Sequence, residues 1–285
     1  MWTWQAYSLI CRFILTVQPL YGEFMARQQP SRSISQADLL RLLHEARGWL
    51  DSAPGQLLLE SERAAQRELM PQCFGQHLVQ YGLAPEILDP DNQVIRNHWH
   101  LDVECRAGTL AVEEARWPFA PQSLDAVVLH HGLDFSLSPR TLLREASQTV
   151  RSGGHMLIFG FNPLSTWGAP HYLGQNWLGQ AGFVRPGRLV DWLELLGFAV
   201  EKRLDGCYRP PLMSPTWLQR LAFIERLGQR RMLPGGGFYC LLARRQMYGA
   251  LPQRQRGLAF PTLALPPLAA SSRRTHKRDS NDPTD

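Results

Sequence analysis

The chain predicts an α/β fold wound around a parallel sheet, and three observations carry that expectation. Leu124-Asp125-Ala126-Val127-Val128-Leu129 is a short apolar run between turn residues at Pro121-Gln122-Ser123 and at His130-His131-Gly132. Such a run reads as a strand buried on both faces. Ser138-Pro139 then opens a helix with Ser as N-cap and Pro as its first residue, and Leu142, Leu143, Ala146 and Val150 form its inward stripe. The helix stops before Gly153-Gly154, and Met156-Leu157-Ile158-Phe159 supplies the next strand. Strand, helix and strand at this length make a right-handed βαβ unit.

The remaining elements follow from the N-terminus. Tyr7 to Leu20 is apolar but broken by Arg12, and too short for a span of roughly 20 residues. Residues 1–34 therefore read as a disordered extension, with a membrane-surface anchor as the sharper alternative and Met25 as a second possible start. Ser35 caps a first helix with Asp38 completing a capping box, and Leu39, Leu42, Leu43 and Ala46 form its stripe. After a break at Pro54-Gly55, a second helix runs from Gln56 to Leu69; the pair, within 35–76, lids a pocket or covers a sheet edge. A domain over 77–247 starts with His77-Leu78-Val79-Gln80-Tyr81-Gly82 as the first strand.

The second strand ends at His98-Trp99-His100-Leu101-Asp102. Asp102 falls about 20 residues after Gly82, where nucleotide-binding βαβ folds place an acid on ribose hydroxyls; Glu104 is the register alternative. His98 and His100 share one strand face but have no third ligand nearby, so no metal is expected. Leu110-Ala111-Val112 gives a third short strand ahead of Glu113-Glu114. His131 and Asn162 lie at the carboxyl ends of the fourth and fifth strands, the edge where open α/β sheets bind ligands. His131 reads as a cofactor-orienting residue, a base or a structural His. Asn162 reads as an acceptor-positioning group or a turn-forming Asn-Pro. Pro186 to Leu196 is a helix closed by Gly197, followed by a strand from Phe198; Ser214-Pro215 opens another helix. Gly235-Gly236-Gly237 precedes a strand, Phe238 to Ala243, and so lacks the helix N-terminus of a phosphate loop. The Pro-, Arg- and Ser-rich tail 248–285 predicts disorder.

The run from Pro118-Phe119 through Asp125-Ala126-Val127-Val128, His131, Leu133-Asp134 and Leu143-Arg144-Glu145 to Arg151-Ser152-Gly153-Gly154 carries a resemblance. It resembles the second half of a class I S-adenosylmethionine (SAM) methyltransferase domain of type 11. That family writes a Pro-Phe turn, a strand opening on Asp, a His followed by Leu-Glu, a Leu-Arg-Glu helix and an Arg-Pro-Gly-Gly turn; Ser152 replaces the Pro. The resemblance covers Trp49 to Arg245 and implies a Rossmann-like, seven-stranded, mostly parallel sheet whose last strand is antiparallel. It implies SAM as cofactor and places the glycine-rich first motif at Gly82, where Leu83-Ala84-Pro85-Glu86 stand in place of further glycines. It puts Glu113, with Glu114 beside it, at the acid that contacts the adenine amino group, and His131 at the family's His. The implied site is therefore Gly82, Asp102, Glu113, Glu114 and His131 for the cofactor, with His131 and Asn162 for catalysis.

Composition bounds the partners. In 285 residues, 44% are hydrophobic and 19% charged, which describes a globular chain. Five cysteines never form a Cys-x-x-Cys pair, so neither a disulfide framework nor a zinc site is expected and a reducing cytoplasm fits. The net charge of +5 allows an anionic partner, but basic runs fall late, at Arg226 to Arg231 and Arg273 to Arg278. A solvated face and tail explain them better than a nucleic-acid groove. The sequence thus favours a SAM-dependent methyltransferase acting on a small-molecule acceptor. The alternatives are an inactive binding or scaffold module that keeps the fold, and a nicotinamide-dependent oxidoreductase.

Overall fold

The computed structural model describes residues 35–84, 95–104, 106, 109–168, 177–211, 223, 225, 228 and 235–246. The expectations for 1–34, for the helix start at Ser214-Pro215, for Pro85-Glu86 and for 248–285 lie outside the described residues. Two helices come first, α1 (Gln36–Leu50) and α2 (Ala53–Leu69), followed by a 3₁₀ turn at Met70–Gln72. Then come β1 (His77–Gly82), β2 (Asn97–Asp102), β3 (Leu110–Ala111), β4 (Leu124–His130), α3 (Pro139–Thr149) and β5 (Val150–Phe161). A short α4 (Trp177–Gln180), α5 (Pro186–Leu195), β6 (Phe198–Gly206) and β7 (Phe238–Arg245) complete the set.

The strands form one seven-stranded sheet in the order β3-β2-β1-β4-β5-β7-β6. β1, β2, β3, β4 and β5 pair in parallel, while β7 runs antiparallel between β5 and β6. This is the expected sheet with its reversed last strand. Dinucleotide-binding sheets of order 3-2-1-4-5-6 have no such inserted antiparallel strand. The winding direction changes between β1 and β4, which opens a crevice at the carboxyl ends of the strands.

Alternation splits the strands between two cores. Leu78, Ala126, Val128, Leu157, Phe159 and Phe161 face the core closed by α1 and α2 through Leu39, Leu42, Leu43, Ala46, Leu58 and Leu69. Val79, Tyr81, Val127, Leu129, Met156 and Ile158 face the core closed by α3 and α5 through Leu142, Leu143, Ala146, Leu189 and Leu193. Trp117 is buried in the second core beside Tyr81, with ring centroids 5.7 Å apart.

The capping box at the start of α1 forms as expected: the Ser35 side chain accepts from Asp38 N–H and the Asp38 carboxylate accepts from Ser35. Two boundaries differ from the sequence reading. Pro54-Gly55 lies inside the first turn of α2, with Ser52 as N-cap accepting from Gly55 N–H; Pro is welcome there because that N–H has no helical partner. Arg151-Ser152-Gly153-Gly154 is also no free turn. It is a bulge within β5, where the register with β4 slips between Leu124 and Ala126 and Gly153 takes φ +79°. Among the described residues, no helix is long and apolar enough to cross a membrane.

Candidate functional site

At the carboxyl end of β1 the chain turns sharply at Gly82, with φ +133°. Leu83 N–H donates to the His130 carbonyl at 2.8 Å, and a Cβ on Gly82 would meet that oxygen at 2.0 Å. Only glycine fits there, for both steric and conformational reasons. Leu83 is buried among the side chains of the α1/α2 core. Beyond it opens a cavity of about 630 Å³, walled by His44 and Arg47 of α1, Arg63 of α2, Leu83 and Ala84 after β1, and Glu104 and Arg106 after β2. It sits against the ends of β1 and β2, beside the point where the winding reverses.

Asp102 ends β2 as expected and is 1% exposed. Both of its carboxylate oxygens accept from Arg47 Nη2, at 2.8 and 2.7 Å. The same group accepts Val103 N–H at 2.8 Å and Arg106 Nη1 at 3.4 Å. Arg47 also donates from Nε to the Leu83 carbonyl at 3.1 Å and from Nη1 to Glu104 at 3.3 Å. One guanidinium from α1 therefore bridges the ends of β1 and β2.

A buried polar cluster joins α2 to the end of β4. Glu62 of α2, wholly inaccessible, receives His130 Nε2 at 2.9 Å on one oxygen and His131 Nε2 at 2.6 Å on the other. His131 Nδ1 pairs with Asp134 Oδ2 at 2.9 Å, and its ring stacks on Phe161 at 4.0 Å. Glu62 and Asp134 thus engage the two ring nitrogens of His131; burial pushes the Asp134 carboxyl up, and His131 pulls it back only in part. Burial pushes His131 down, but Glu62 and then Asp134 outweigh it and raise its pKa to about 9. Burial likewise works to raise Glu62, yet His131 and then His130 hold it at about 2. His130 differs. Its Nδ1 accepts from Ala84 N–H at 3.1 Å, so the single proton of the neutral ring sits on Nε2, and burial lowers its pKa.

Glu62, His130 and His131 bring three ligand-type atoms within 4.8 Å of one another. A cation there would need the Nε2 lone pair of His130, while Ala84 N–H already requires the lone pair on Nδ1. A neutral imidazole has one lone pair.

The other candidates lie further along the edge. Asn162 is buried, and its Oδ1 accepts Leu164 N–H at 3.0 Å, the turn-forming arrangement. Glu113 is exposed, with an isolated bridge to Arg116. Glu114 accepts the Ser136 hydroxyl at 2.7 Å, Leu137 N–H at 3.1 Å and Ser138 N–H at 3.2 Å, all ahead of α3. The fold thus brings Gly82, Asp102 and His131 to one stretch of sheet edge. Glu104 reaches the cavity wall, and none of Gly82, Asp102, His131, Asn162, Glu113 and Glu114 is among its described wall residues. Sequence reasoning missed Arg47 and Glu62. The signal for Glu62 was its place on an apolar stripe, four residues after Leu58 and three before Ala65.

Residues 65–158 match the family model described as a methyltransferase domain. An uncharacterized protein, YafS, of Escherichia coli (strain K12) is 27% identical over 158 residues, covering 53% of this chain and 65% of its own length. The chain thus spans less than two thirds of that curated relative. A SAM-dependent methyltransferase of Thermotoga maritima, described as a possible histamine N-methyltransferase, superposes with TM-score 0.54 at 16% identity, over 72% of this chain and 97% of its own. The [4+2]-cyclase SpnF superposes with TM-score 0.52 at 15% identity, over 76% and 96%. At these identities the structural likeness speaks for fold alone. Residues 65–158 are thus similar to a methyltransferase domain, and the seven-stranded sheet shares its fold with the two solved structures.

Proposed function

We propose that the chain transfers a methyl group from SAM to a small-molecule acceptor at the carboxyl edge of the sheet. The observation that carries this is the cavity beside the winding reversal, opening against the ends of β1 and β2. The residues present fit the cofactor in kind. Gly82 makes the close backbone turn, an acid ends β2, and the volume suits a ligand of that size. Asp102, with Glu104 beside it, would accept ribose hydroxyls, and Glu113 the adenine amino group.

When bound, SAM supplies a methyl on a sulfonium whose charge disappears on transfer. The protein's part is then chiefly alignment. His131 serves that part by position: both of its ring nitrogens are already engaged by the buried Glu62 and Asp134. An acceptor offering its own lone pair suits this edge better than one that must first be deprotonated by His131. Free, buried Cys73, Cys207 and Cys240 accord with a reducing cytoplasm as the place of action.

A second reading, a binding module that keeps the fold without turnover, is favoured by one observation: the acceptor positions of Asp102 are already filled by protein donors. Calorimetric titration with SAM separates the two. Methyl transfer requires measurable binding, weakened by Asp102→Ala and Glu113→Ala. Unchanged affinity in both variants removes those assignments, and no heat at millimolar SAM leaves the binding module. Mass spectrometry of co-purified ligand identifies the acceptor.

A further inference from the structure

We propose that Arg47 is the resident occupant of the ribose seat, and that cofactor binding proceeds by exchanging its guanidinium for the ligand's hydroxyls. This rests on reading the cavity as the SAM site and concerns how that site is regulated. A carboxylate offers about four acceptor positions. Those of Asp102 are taken by two contacts from Arg47, at 2.8 and 2.7 Å, by Val103 N–H and by Arg106. Hydroxyls arriving at the end of β2 find no free lone pair until Arg47 withdraws.

The contact is built rather than incidental. Arg47 has 15% of its side chain exposed against 1% for Asp102, and its Nε and Nη1 are spent on the Leu83 carbonyl and Glu104. A fork-shaped donor on a carboxylate, with the remaining N–H groups fixed by two further acceptors, holds one geometry. Arg47 also lines the cavity, whereas Asp102 is not among its described wall residues.

The exchange does not require α1 to leave the sheet. Leu39, Leu42, Leu43, Ala46 and Leu50 fix that helix in the core, while Arg47 projects from its edge. Glu104, 40% exposed, can keep its hold on the displaced guanidinium, and Asp51 on the cavity wall offers it a new acceptor. Arg47 then sets the fraction of molecules whose ribose seat is open, and the apparent affinity falls by that fraction.

The test is calorimetric titration of SAM into the full-length wild type, Arg47→Gln, Asp102→Asn and the double variant, each checked by thermal melt. Arg47→Gln should bind SAM at least about tenfold more tightly than wild type, because the closed fraction is removed. The gain should vanish in the Asp102→Asn background, since the two residues act through one contact. Arg47→Lys, which keeps the charge but not the fork, should fall between and serves if Arg47→Gln fails to fold. Wild-type binding with equal or weaker affinity in the Arg47 variants overturns the latch and leaves the SAM site standing. No heat with wild type or any variant overturns the latch together with the SAM reading beneath it.

Discussion

Glu62 keeps its charge where no solvent reaches it because two imidazoles meet its two oxygens. Its folded pKa of about 2, against an ordinary 4.5, contributes stability that is present above 4.5 and lost as pH falls toward 2. His131 has the opposite sign. With a folded pKa of about 9 against 6.5, it contributes stability below 6.5 that is lost as pH rises through 9. His130, lowered by burial, contributes above 6.5 and loses that as the pH falls. Stability should therefore peak near pH 6.5 and decline on the alkaline side by on the order of 3 kcal/mol. Chemical denaturation of wild type and His131→Gln between pH 6 and 8 checks this, below the range where the buried thiols of Cys73, Cys207 and Cys240, raised by burial, add a decline of their own: the variant should lose the slope seen there in wild type. An equal slope in both would remove the imidazolium. Glu62→Ala should cost about 3–5 kcal/mol at pH 7, because it strands a buried cation.

At the scale of elements, α3 shows how a cap can come from elsewhere in the chain. Ser138 stands at the N-cap but makes no side-chain cap bond. Glu114, across the loop, takes the Ser138 and Leu137 N–H groups instead, and its charge suits the positive end of the helix. Glu114→Ala should lower stability by about 1–2 kcal/mol with SAM affinity unchanged, as read by thermal melts and titration. A selective loss of affinity would return Glu114 to the cofactor. Elements whose signals are local are legible in the amino-acid sequence alone: β4, α3 and the apolar part of β5 announce themselves by run length and stripe. The start of α2 is not, because Pro54-Gly55 serves equally as a break or a first turn. The site is legible where position along a strand decides it, as for Gly82 and Asp102. It is illegible where partners meet across 55 residues, as Arg47 and Asp102 do, or 68, as His130 and Glu62 do. No local periodicity records such pairs.

For the whole molecule, the two cores differ in what closes them. The α3/α5 face is covered by helices lying between strands of the sheet, whereas the opposite face is closed by α1 and α2, which precede every strand. A fragment of residues 77–246 would bare Leu78, Val128, Leu157, Phe159 and Phe161 and leave His130 and His131 without Glu62. Each large apolar side chain so exposed forfeits about 1.5–3 kcal/mol, while a domain's net stability is only about 5–15 kcal/mol. Several such losses exceed the whole margin, before the stranded charge is counted. The fragment should therefore bind a hydrophobic dye and melt without a cooperative transition, while the full chain does neither. A cooperative melt with native circular dichroism from 77–246 would show that α1 and α2 are accessory. In that event Arg47 and Glu62, which both enter the site from those helices, could not be what holds its geometry.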